Sequence, residues 1–525
     1  MLSSPLKLKP VIYGLFILAV LPICVFRDFT LANELRYLSI ADEALRTGSI
    51  FTFTNHGADY ADKPPLYFWI IMAGKLIFGK HSMLFLAMFS IVPALVILHV
   101  MDIWVRNLLT RNERLLAKMM LITSAYFLGP AVFLRMDMLM SMFIVLSLDS
   151  FFRMYSGSAR KRYSWLFPVY VFLALFTKGP VGIIVPLVTT SVFLIIKRDL
   201  KSIGHYWGWK TLSIIVVLCG IWFAGVYMEA GSQYLENLLF HQTYGRAVNS
   251  FHHSEPFYFY FVSVLYSLFP WSLLIIGTVT FGLIKKLTNS DTERFFLVAS
   301  LSTFTVLSLF SSKLDIYMLP AFPFFVYLTV LWLSRSGVKM WMVLLTAFPA
   351  FIFSLALPGI ILAFRQYLPE ENNISVLLIL AGVILSLSGL LTLWFLFKRN
   401  LNSSITALSA GILLTIFTGG FAVPKYNHLI GPGNLCKKAL ERTGSSDSSN
   451  FYYCKGFRGA NLDVYLGKEL RILEIKDLYA PEGTIETPAV IFIGNKTVGR
   501  NDSLKVYLEG KNVYRSGSYS FVEIE

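Results

Sequence analysis

The chain has 525 residues, of which 55% are hydrophobic and only 15% are charged. Soluble proteins carry about 25% charged residues, so this composition excludes an ordinary soluble domain and predicts an all-α polytopic membrane protein. The formal net charge is +15, but neither zinc-ligand spacing nor a basic helix with interleaved aromatic residues accompanies it. We therefore expect no nucleic-acid partner, and we attribute the charge to basic loops on the cytoplasmic side of a membrane.

Apolar segments that can cross, or nearly cross, a hydrocarbon core of about 30 Å recur along the chain. They predict about thirteen transmembrane helices, at residues 11–26, 82–105, 115–133, 137–154, 164–177, 179–196, 209–228, 259–284, 294–310, 315–334, 340–363, 374–397 and 403–422. Residues 66–79 are also apolar, but the stretch is short, contains Lys75 and follows Pro64 and Pro65. We expect it to be a helix that lies at the membrane interface.

The basic residues between these segments predict the orientation of the chain. If the N-terminus is cytoplasmic, every connector on the inside contains lysine or arginine, from Arg106 and Arg111 in the first to Lys398 and Arg399 in the last. This is the distribution that the positive-inside rule requires. Residues 27–81 then form the first outer loop with its interfacial helices, and the C-terminal part also lies outside.

The composition changes after Pro424, which divides the chain into a transmembrane domain at residues 1–423 and a soluble domain at residues 424–525. Alternating runs in the second part, LDVYL, AVIFIG, LKVYL and SFVEIE, predict strands, so we expect a small α/β domain on the outer face. Cys436 and Cys454 both lie there, and an outward compartment permits a disulfide between them. Two free thiols are about as compatible with the sequence.

A polar stretch at residues 31–67 lies between two apolar segments and places charged groups beside the membrane. It contains a predicted amphipathic helix at about residues 33–46, which ends at a glycine and carries Asn33, Arg36 and Tyr37 on one face. An alternative is that Asn33 only caps the helix and that Arg36 only reaches the membrane interface. The stretch is a candidate functional site if other polar residues join it on the same side.

Further polar residues are predicted on that outer side, and each also has a simple structural explanation as an ion pair, a headgroup anchor or a weak metal motif. They are Glu34, Asp62, Lys63, Arg135, Asp137, Lys178, Arg246, His252, His253, Glu255 and Lys313. Taken together, Arg36, Lys63, Arg246 and Lys313 bring four positive charges from distant segments to one membrane face. Such a set suits a lipid phosphate held at the bilayer surface, beside a carboxylate that acts on an acceptor.

The ordered motifs resemble the membrane glycosyltransferases of the GT-C fold, specifically the type that transfers 4-amino-4-deoxy-L-arabinose to lipid A. The segments that carry the resemblance are NELRYLSIADEALRTG, DKPPLYFW, Asp137, Thr177-Lys178-Gly179, HSEPFYFY and KLDIY. No single segment is diagnostic, but the series covers the whole membrane part in order. The larger relatives of this family include protein O-mannosyltransferases.

The resemblance implies a GT-C transmembrane domain that transfers a sugar from undecaprenyl phosphate on the periplasmic side of a bacterial inner membrane. It implies that the donor phosphate is bound by Arg36, Tyr37, Lys63, Lys178, Arg246, Lys313 and Tyr317. Asp62 and His253 match positions where the family can bind a divalent ion, zinc in particular. The expected partners are the donor lipid, lipid A or another periplasmic acceptor, and membrane lipids, and we expect a monomer.

One position departs from the family pattern, because Asn33 stands where the resemblance implies an acid. An amide cannot accept a proton as a general base. A phosphate acceptor, such as that of lipid A, is already ionised near neutral pH and needs little base, whereas a hydroxyl acceptor needs a carboxylate, Glu34, Asp62 or Asp137, to take its proton. Lipid A phosphate is therefore the expected acceptor. A protein O-glycosyltransferase and a non-enzymatic polyprenyl-phosphate transporter are the alternatives, although we expect neither the broken helices nor the repeats typical of transporters.

Overall fold

A computed structural model of the chain describes residues 8–157, 161–240, 255–367, 373–443, 450–479 and 485–524. The chain divides into two compact units. The first, called the helical unit, consists of Met1–Cys24, Ala61–Tyr67 and Leu84–Gly420, and the second, called the mixed unit, consists of Val25–Tyr60, Phe68–Met83 and Phe421–Glu525. The mixed unit thus combines C-terminal residues with two segments of the predicted first outer loop. The domain boundary after residue 423 stays a prediction.

The helical unit is built from apolar helices, because a segment in lipid must satisfy its backbone hydrogen bonds internally. Including those whose ends lie in the mixed unit, they are Leu8–Phe26, Leu66–Phe78, Met83–Trp104, Arg111–Ile122, Ala125–Val132, Asp137–Tyr155, Tyr163–Lys178, Val181–Ile196, Ile203–Trp207, Trp209–Glu236, Phe259–Ser267, Ser272–Ile284, Asp291–Leu309, Phe322–Ser336, Met340–Ser354, Ala356–Tyr367, Val376–Phe397 and Leu401–Gly420. The described part of the unit also contains the 3-10 helices Leu200–Ser202 and Asp315–Ala321.

Six helices within the described ranges are long and apolar enough to cross a membrane, and the number rises to eight if each of two bent helix pairs is one crossing. Five shorter apolar helices accompany them. The predicted polytopic helical architecture is therefore confirmed, while the number of thirteen crossings and the orientation of the termini stay predictions. Helix Leu66–Phe78 has 13 residues, which span only about 20 Å, so its length agrees with the interfacial position predicted for it.

The expectation that no helix is broken is wrong. Helices Arg111–Ile122 and Ala125–Val132 meet at 64° inside a predicted single span. At the junction the Thr123 hydroxyl donates to the carbonyl of Met119 at 2.6 Å, and the Ser124 hydroxyl similarly donates to the carbonyl four residues before it at 2.8 Å. Hydroxyl groups that bond to these carbonyls bend helices, which explains the break.

Prolines account for two further interruptions of predicted spans. Helices Met340–Ser354 and Ala356–Tyr367 meet at 49°, and Pro358 has no N–H to donate to the carbonyl of Ser354. The predicted span 259–284 is divided into two helices in the same way, around Pro270. A hydropathy profile detects the apolar run, but it does not detect that a proline lacks the backbone N–H that a continuous helix needs.

A cluster of aromatic rings fixes the helix that begins at Asp137. The ring centroid of Trp104 lies 5.3 Å from that of Phe152 and 5.6 Å from that of Phe295. The ring of Phe295 in turn meets that of Phe193 edge-on at 5.0 Å. Tilted and edge-to-face pairs of this kind add packing energy beyond the burial of their area. The cluster therefore holds one end of the helix rigid while its other end presents Asp137.

The mixed unit contains short helices and two sheets. Its helices are Glu34–Thr47, Val423–Ile430, Gly433–Thr443, Asp463–Leu466, Asn495–Arg500 and Asp502–Leu508, with 3-10 helices Gly459–Leu462 and Ile475–Tyr479. Strands β1 (Thr54–Asn55) and β2 (Ala58–Asp59) form an antiparallel hairpin. The five-stranded sheet has the order β4-β3-β5-β7-β6, with β3 Asn450–Cys454, β4 Arg471–Leu473, β5 Ala489–Gly494, β6 Val513–Ser516 and β7 Tyr519–Ile524. Strands β4, β3 and β5 are parallel, and β7 and β6 continue antiparallel.

The predicted α/β character of the C-terminal part is confirmed, but two of its four predicted strands are wrong. AVIFIG and SFVEIE form β5 and most of β7, whereas LDVYL and LKVYL lie in helices Asp463–Leu466 and Asp502–Leu508. In such a short run, the spacing of the apolar residues fits both the two-residue period of a strand and the 3.6-residue period of a helix. For LKVYL the helix is favoured because the Asn501 side chain caps it by accepting a hydrogen bond from the backbone N–H of Leu504. Cys436 and Cys454 are both buried free thiols.

The packing of the helical unit predicts that Gly282→Ala destabilises the protein. A Cβ added at Gly282 would lie 2.1 Å from the ring of Trp332, which is completely buried and has no space to move into. We expect a loss of about 1–3 kcal/mol, measured as a fall in Tm of the detergent-solubilised protein. The control is Gly220→Ala on an exposed helix face, where nothing lies within 4 Å of the added atom. Equal Tm values for the two variants would contradict this packing.

Candidate functional site

A buried ion pair joins two helix ends in the helical unit. Asp137 is the first residue of helix Asp137–Tyr155, and Lys178 is the last residue of helix Tyr163–Lys178. The Lys178 ammonium donates a hydrogen bond to the Asp137 carboxylate, and the two side chains are only 9% and 3% exposed. A negative charge at a helix N-terminus and a positive charge at a helix C-terminus are each stabilised by the helix dipole. Both charges therefore stand where the local structure favours them.

Two glycines shape the turn that follows Lys178. Gly179 has a φ of +107°, a conformation that residues with a side chain rarely adopt. A Cβ on Gly182 would lie 2.3 Å from the backbone carbon of Ala174, so only glycine lets the next helix pack this closely. The Thr177-Lys178-Gly179 motif thus ends one helix sharply and fixes where the lysine ammonium is presented.

Two further cations lie close to this ion pair. The Nε atom of Arg135 is 4.0 Å from the Asp137 carboxylate, as the simple ion-pair explanation predicted. The Nζ atom of Lys63 is 3.0 Å from the carboxylate of Asp62, and the charges of both Lys63 and Arg135 act on Lys178. We call these five residues the charged cluster. It combines three cations with two carboxylates.

The KLDIY segment at residues 313–317 lies against the charged cluster. The Nζ atom of Lys178 is 4.6 Å from the ring centroid of Tyr317, which is a cation–π distance. The hydroxyl of Tyr260 donates to the carbonyl of Leu314 at 3.2 Å and holds the segment in place. The structure thus brings Tyr317 to Lys178, in agreement with their predicted common role.

Lys313 begins this segment and is buried, with 4% of its surface exposed. Its ammonium donates to the backbone carbonyl of Glu255 at 2.7 Å. Within the described ranges it has no carboxylate partner. A buried ammonium that is not neutralised is stabilised when an anion binds beside it. This environment agrees with the predicted role in phosphate binding.

In the mixed unit, the carboxylate of Glu34 forms a buried ion pair. The Arg27 guanidinium donates hydrogen bonds of 2.6 and 2.7 Å to the two oxygens of the Glu34 carboxylate, and both side chains are at most 3% exposed. The backbone N–H of Thr30 donates to the same carboxylate at 2.7 Å. These contacts fix the start of helix Glu34–Thr47. They favour a structural role for Glu34 over the predicted catalytic one.

Arg36 lies between aromatic rings of the mixed unit. Its guanidinium carbon is 5.6 Å from the ring centroid of Tyr37 and 5.7 Å from that of Tyr60. Both rings lean edge-on against Phe68, at 5.9 and 6.0 Å. Among the residues that the structure describes, Arg36 has no carboxylate partner, and its buried Nε has no hydrogen-bond partner. The rings therefore orient a guanidinium that retains donors for an anionic ligand.

Asn33 occupies the N-cap position of helix Glu34–Thr47, but its side chain makes no capping hydrogen bond. The alternative that Asn33 serves only as a cap is therefore not supported by its contacts. The helix ends at Gly48, which has a φ of 75°, as the sequence predicted. The Asn33 side chain is partly exposed and does not cap the helix that follows it.

A further polar cluster in the mixed unit was not predicted from the sequence. The Ser39 hydroxyl donates to the Asp463 carboxylate at 2.7 Å, and Nδ1 of His56 lies 3.9 Å from the same oxygen. Burial raises the pKa of Asp463 to about 6. Residues 39 and 463 are 424 positions apart, so no local pattern could reveal this contact. It links helix Glu34–Thr47 to the C-terminal residues of the unit.

Arg246, His252 and His253 lie outside the described residues, so their predicted contacts stay predictions. In the part of the chain that the structure describes, no group of three or more histidine, cysteine, aspartate and glutamate side chains is placed to hold a metal ion. Asp62, the other predicted metal ligand, is in contact with the Lys63 ammonium. A zinc site therefore stays a prediction that rests on the resemblance.

Comparisons with known sequences identify relatives of this chain. Residues 62–223 match the family model described as dolichyl-phosphate-mannose-protein mannosyltransferase. A protein of Aquifex aeolicus is 26% identical over 404 residues, which are 70% of this chain and 78% of that protein. The undecaprenyl phosphate-alpha-4-amino-4-deoxy-L-arabinose arabinosyl transferase of Shewanella sediminis is 23% identical over 61% of this chain and 58% of that enzyme. The alignment thus spans little more than half of the arabinosyl transferase.

Comparison with solved structures establishes the fold. The crystal structure of ArnT from Cupriavidus metallidurans bound to undecaprenyl phosphate matches with a TM-score of 0.77, over 99% of this chain and 98% of that one, at 15% sequence identity. The apo state of the same protein gives a TM-score of 0.76. The likeness extends over both units of the chain.

The chain therefore has the fold of a multi-span membrane glycosyltransferase, and its family-model match and named relatives are glycosyltransferases as well. Within that class, the chain is similar to the arabinosyl transferases of the ArnT type. The predicted fold class and enzyme class are therefore confirmed. The site residues stay predictions, and their contacts form the basis of the proposal for donor and acceptor.

The contacts of Glu34 predict that Glu34→Ala chiefly lowers stability. The substitution leaves the Arg27 guanidinium buried without its partner, which costs about 3–5 kcal/mol. We expect a large fall in Tm, measured on the solubilised protein. The control is Arg46→Ala, which breaks an exposed ion pair with Glu469 and costs only about 0–1 kcal/mol. If Glu34→Ala instead abolished sugar transfer with a Tm like that of the control, a catalytic role would be indicated.

Proposed function

We propose that this chain transfers a sugar from a polyprenyl-phosphate donor, undecaprenyl phosphate in a bacterial membrane, to an acceptor at the periplasmic surface of the inner membrane. The charged cluster and Lys313 hold the donor phosphate. The printed names of the relatives support this donor, since they specify undecaprenyl phosphate. The solved ArnT structure that contains undecaprenyl phosphate, on the same fold, supports it as well.

One observation carries the proposal, namely the excess of positive charge in the helical unit. Among the described residues, the charged cluster combines the cations of Lys63, Arg135 and Lys178 with the carboxylates of Asp62 and Asp137. Lys313, four positions before the tyrosine under Lys178, adds a buried ammonium with no carboxylate partner in the described part of the chain. A phosphate group supplies the negative charge and the acceptor oxygens that such a set of donors binds.

The arrangement explains how the transfer is accelerated. The acceptor oxygen attacks the anomeric carbon, the bond from that carbon to the phosphate oxygen breaks, and the polyprenyl phosphate leaves with the bonding electrons. Attack from the face opposite the leaving group inverts the anomeric configuration. Negative charge grows on the departing phosphate, so Lys63 and Lys178 bind it more strongly in the transition state than in the ground state. Asp137 positions the Lys178 ammonium for this task.

The contacts of the three candidate acids, each within its own unit, favour an acceptor that needs no general base. Glu34 is bonded to Arg27, Asp62 to Lys63 and Asp137 to Lys178. Each of these carboxylates would have to give up its ion pair in order to take a proton from a hydroxyl. A phosphate acceptor is already ionised near neutral pH. We therefore favour the phosphate of lipid A over a protein hydroxyl.

One observation favours the second candidate, a polyprenyl-phosphate transporter. The bent pair Arg111–Ile122 and Ala125–Val132 is a discontinuous helix of the kind that transporters use around their substrate. A transporter would move the donor lipid with its sugar bond intact. Release of free undecaprenyl phosphate from the donor by purified protein in liposomes therefore distinguishes the two functions.

The proposal predicts that Lys63→Ala lowers sugar transfer by about 100- to 1,000-fold, since one electrostatic contact to the leaving group is lost. Reconstituted protein is given undecaprenyl-phosphate-linked sugar and lipid A, and mass spectrometry of the lipid products measures transfer and names the acceptor. Lys210→Ala is the matched control, because in the described part of the chain that lysine donates a hydrogen bond to Ser164 and packs on Trp165. The variants should insert into the membrane equally well. Near-normal transfer by Lys63→Ala would show that Lys63 does not stabilise the leaving phosphate.

A further inference from the structure

His56 lies where three elements of the mixed unit meet. It occupies the turn of the β1–β2 hairpin, and its Nε2 atom is 3.4 Å from the Ser39 hydroxyl and 3.3 Å from the amide oxygen of Asn461. Its Nδ1 atom is 3.9 Å from the Asp463 carboxylate. One imidazole ring therefore joins the hairpin, the helix that carries Ser39 and the segment at residues 459–466.

The structure holds His56 in place at a conformational cost. Its φ is 55°, in the left-handed region that residues other than glycine adopt only rarely. The Glu43 carboxylate fixes the turn, because it accepts hydrogen bonds from the backbone N–H of His56 at 2.6 Å and from that of Gly57 at 2.9 Å. A strained residue that its surroundings fix so firmly indicates a functional role.

Asp463 is a buried carboxylate that its surroundings neutralise poorly. The Ser39 hydroxyl donates to one of its oxygens at 2.7 Å, whereas the other oxygen is buried without a hydrogen-bond partner. Among the described residues its partner for an ion pair is His56. Burial disfavours the charged form, which is why the pKa of Asp463 is raised to about 6.

The other charges around this pair have partners of their own or lie at the surface. The charge of Asp42 acts on Asp463, but its carboxylate is bonded to Lys75 at 2.6 Å and to His81 at 2.7 Å. Asp28 accepts a hydrogen bond from the hydroxyl of Tyr465. Arg46 forms an exposed ion pair with Glu469, and the charged residues of helix Gly433–Thr443, which packs on the same segment, are exposed: Lys437, Lys438, Glu441 and Arg442.

Protonation changes what the ring of His56 can bind. The neutral imidazole carries one N–H, whereas the protonated ring carries two. The protonated ring donates to the amide oxygen of Asn461 and also brings a positive charge to the carboxylate of Asp463. Both acceptors belong to the 459–466 segment, so uptake of a proton links the hairpin to that segment.

The pKa of Asp463 determines the direction of the effect. This carboxyl holds its proton up to a pH of about 6 in the folded protein, whereas an ordinary aspartate of the unfolded chain releases it at about 4. The folded state therefore gains stability as the pH falls through 6, and it loses this stability as the pH rises. Mild acid thus favours the linked arrangement.

The hairpin is connected to Arg36 by direct contacts. The backbone N–H of Tyr60 donates to the carbonyl of Phe53 at 2.8 Å and closes the hairpin. The ring of Tyr60 lies 5.7 Å from the guanidinium of Arg36. A hairpin that is held firmly therefore holds one of the two rings that orient this guanidinium.

We propose that His56 and Asp463 form a pH-sensitive switch. In mildly acidic medium the pair takes up a proton and links the β1–β2 hairpin to the 459–466 segment, which orders the ring of Tyr60 against Arg36. The chain then binds the donor phosphate more tightly as the medium becomes acidic. Only this last consequence rests on the proposed function.

Hydrogen exchange of the backbone amides in residues 53–60 tests the switch, because His56, Gly57 and Tyr60 donate hydrogen bonds that break when the hairpin opens. Exchange of the solubilised full chain is measured at pH 5.0 and 7.5 and divided by the intrinsic rate at each pH. The wild type should be protected about 10-fold more strongly at pH 5.0, the value of one charge-assisted hydrogen bond. Asp463→Asn, which is neutral at both pH values, should be protected equally at both.

The matched control is His81→Gln. His81 also contacts a carboxylate, that of Asp42, but Lys75 neutralises this carboxylate as well, so the variant should keep the wild-type response. If Asp463→Asn fails to fold, His56→Asn decides the question. Asparagine tolerates the left-handed conformation of the turn but does not titrate, so the response of the hairpin should be lost.

A second measurement separates the switch from the proposed function. The KM of reconstituted protein for an undecaprenyl-phosphate-linked sugar, whose phosphodiester keeps one negative charge at both pH values, should be several-fold lower at pH 5.0 than at pH 7.5. This difference should be absent in Asp463→Asn.

Each outcome decides one of the claims. Equal protection of the wild-type hairpin at both pH values, or a wild-type response in the folded Asp463→Asn or His56→Asn variant, would overturn the switch and leave the proposed function standing. The predicted protection with a pH-independent KM would overturn the control of donor binding. The predicted protection without any sugar transfer would overturn the proposed function and support the switch.

Discussion

The buried ion pair between Asp137 and Lys178 is the interaction on which the site in the helical unit depends. Removal of the Asp137 side chain would leave the buried Lys178 ammonium without its carboxylate partner, at a cost of about 3–5 kcal/mol. Because each residue ends a helix, the pair also fixes two helix termini relative to each other, and the lysine then covers the ring of Tyr317. The structural and the chemical roles of Asp137 are therefore one role: it holds a cation where a phosphate is to bind.

Within the described residues, this arrangement brings together more positive than negative charges. Lys63, Arg135 and Lys178 repel one another, and two carboxylates offset only part of that repulsion. A lipid phosphate at the membrane surface is the counter-charge that is always available to such a site. Because the charge on the phosphate grows as it becomes a leaving group, the same excess stabilises the transition state more than the bound donor. Donor affinity and catalysis thus share a single electrostatic cause.

Most of the helices could be predicted from the sequence, because apolar runs and basic connectors are local properties of the chain. The breaks could not, since the bend at Thr123 depends on a hydroxyl that bonds to a carbonyl rather than on hydropathy. In the site, Asp137 and Lys178 were both predicted to lie on the outer side, but their pairing became visible only with the turn at Gly179. Glu34 was predicted to be catalytic because its ion-pair partner, Arg27, directly follows an apolar segment and nothing in the sequence indicates the pairing.

Direct binding of the donor lipid tests the central claim that the positive excess is a phosphate site. The Tm of the purified protein is measured against increasing undecaprenyl phosphate and, separately, against undecaprenol, which has the same hydrocarbon chain and no phosphate. A ligand that binds only the folded state raises Tm as its concentration rises. The account predicts a concentration-dependent rise with undecaprenyl phosphate that undecaprenol does not reproduce. Equal shifts with the two lipids would show that the chain recognises the hydrocarbon alone and would contradict the account.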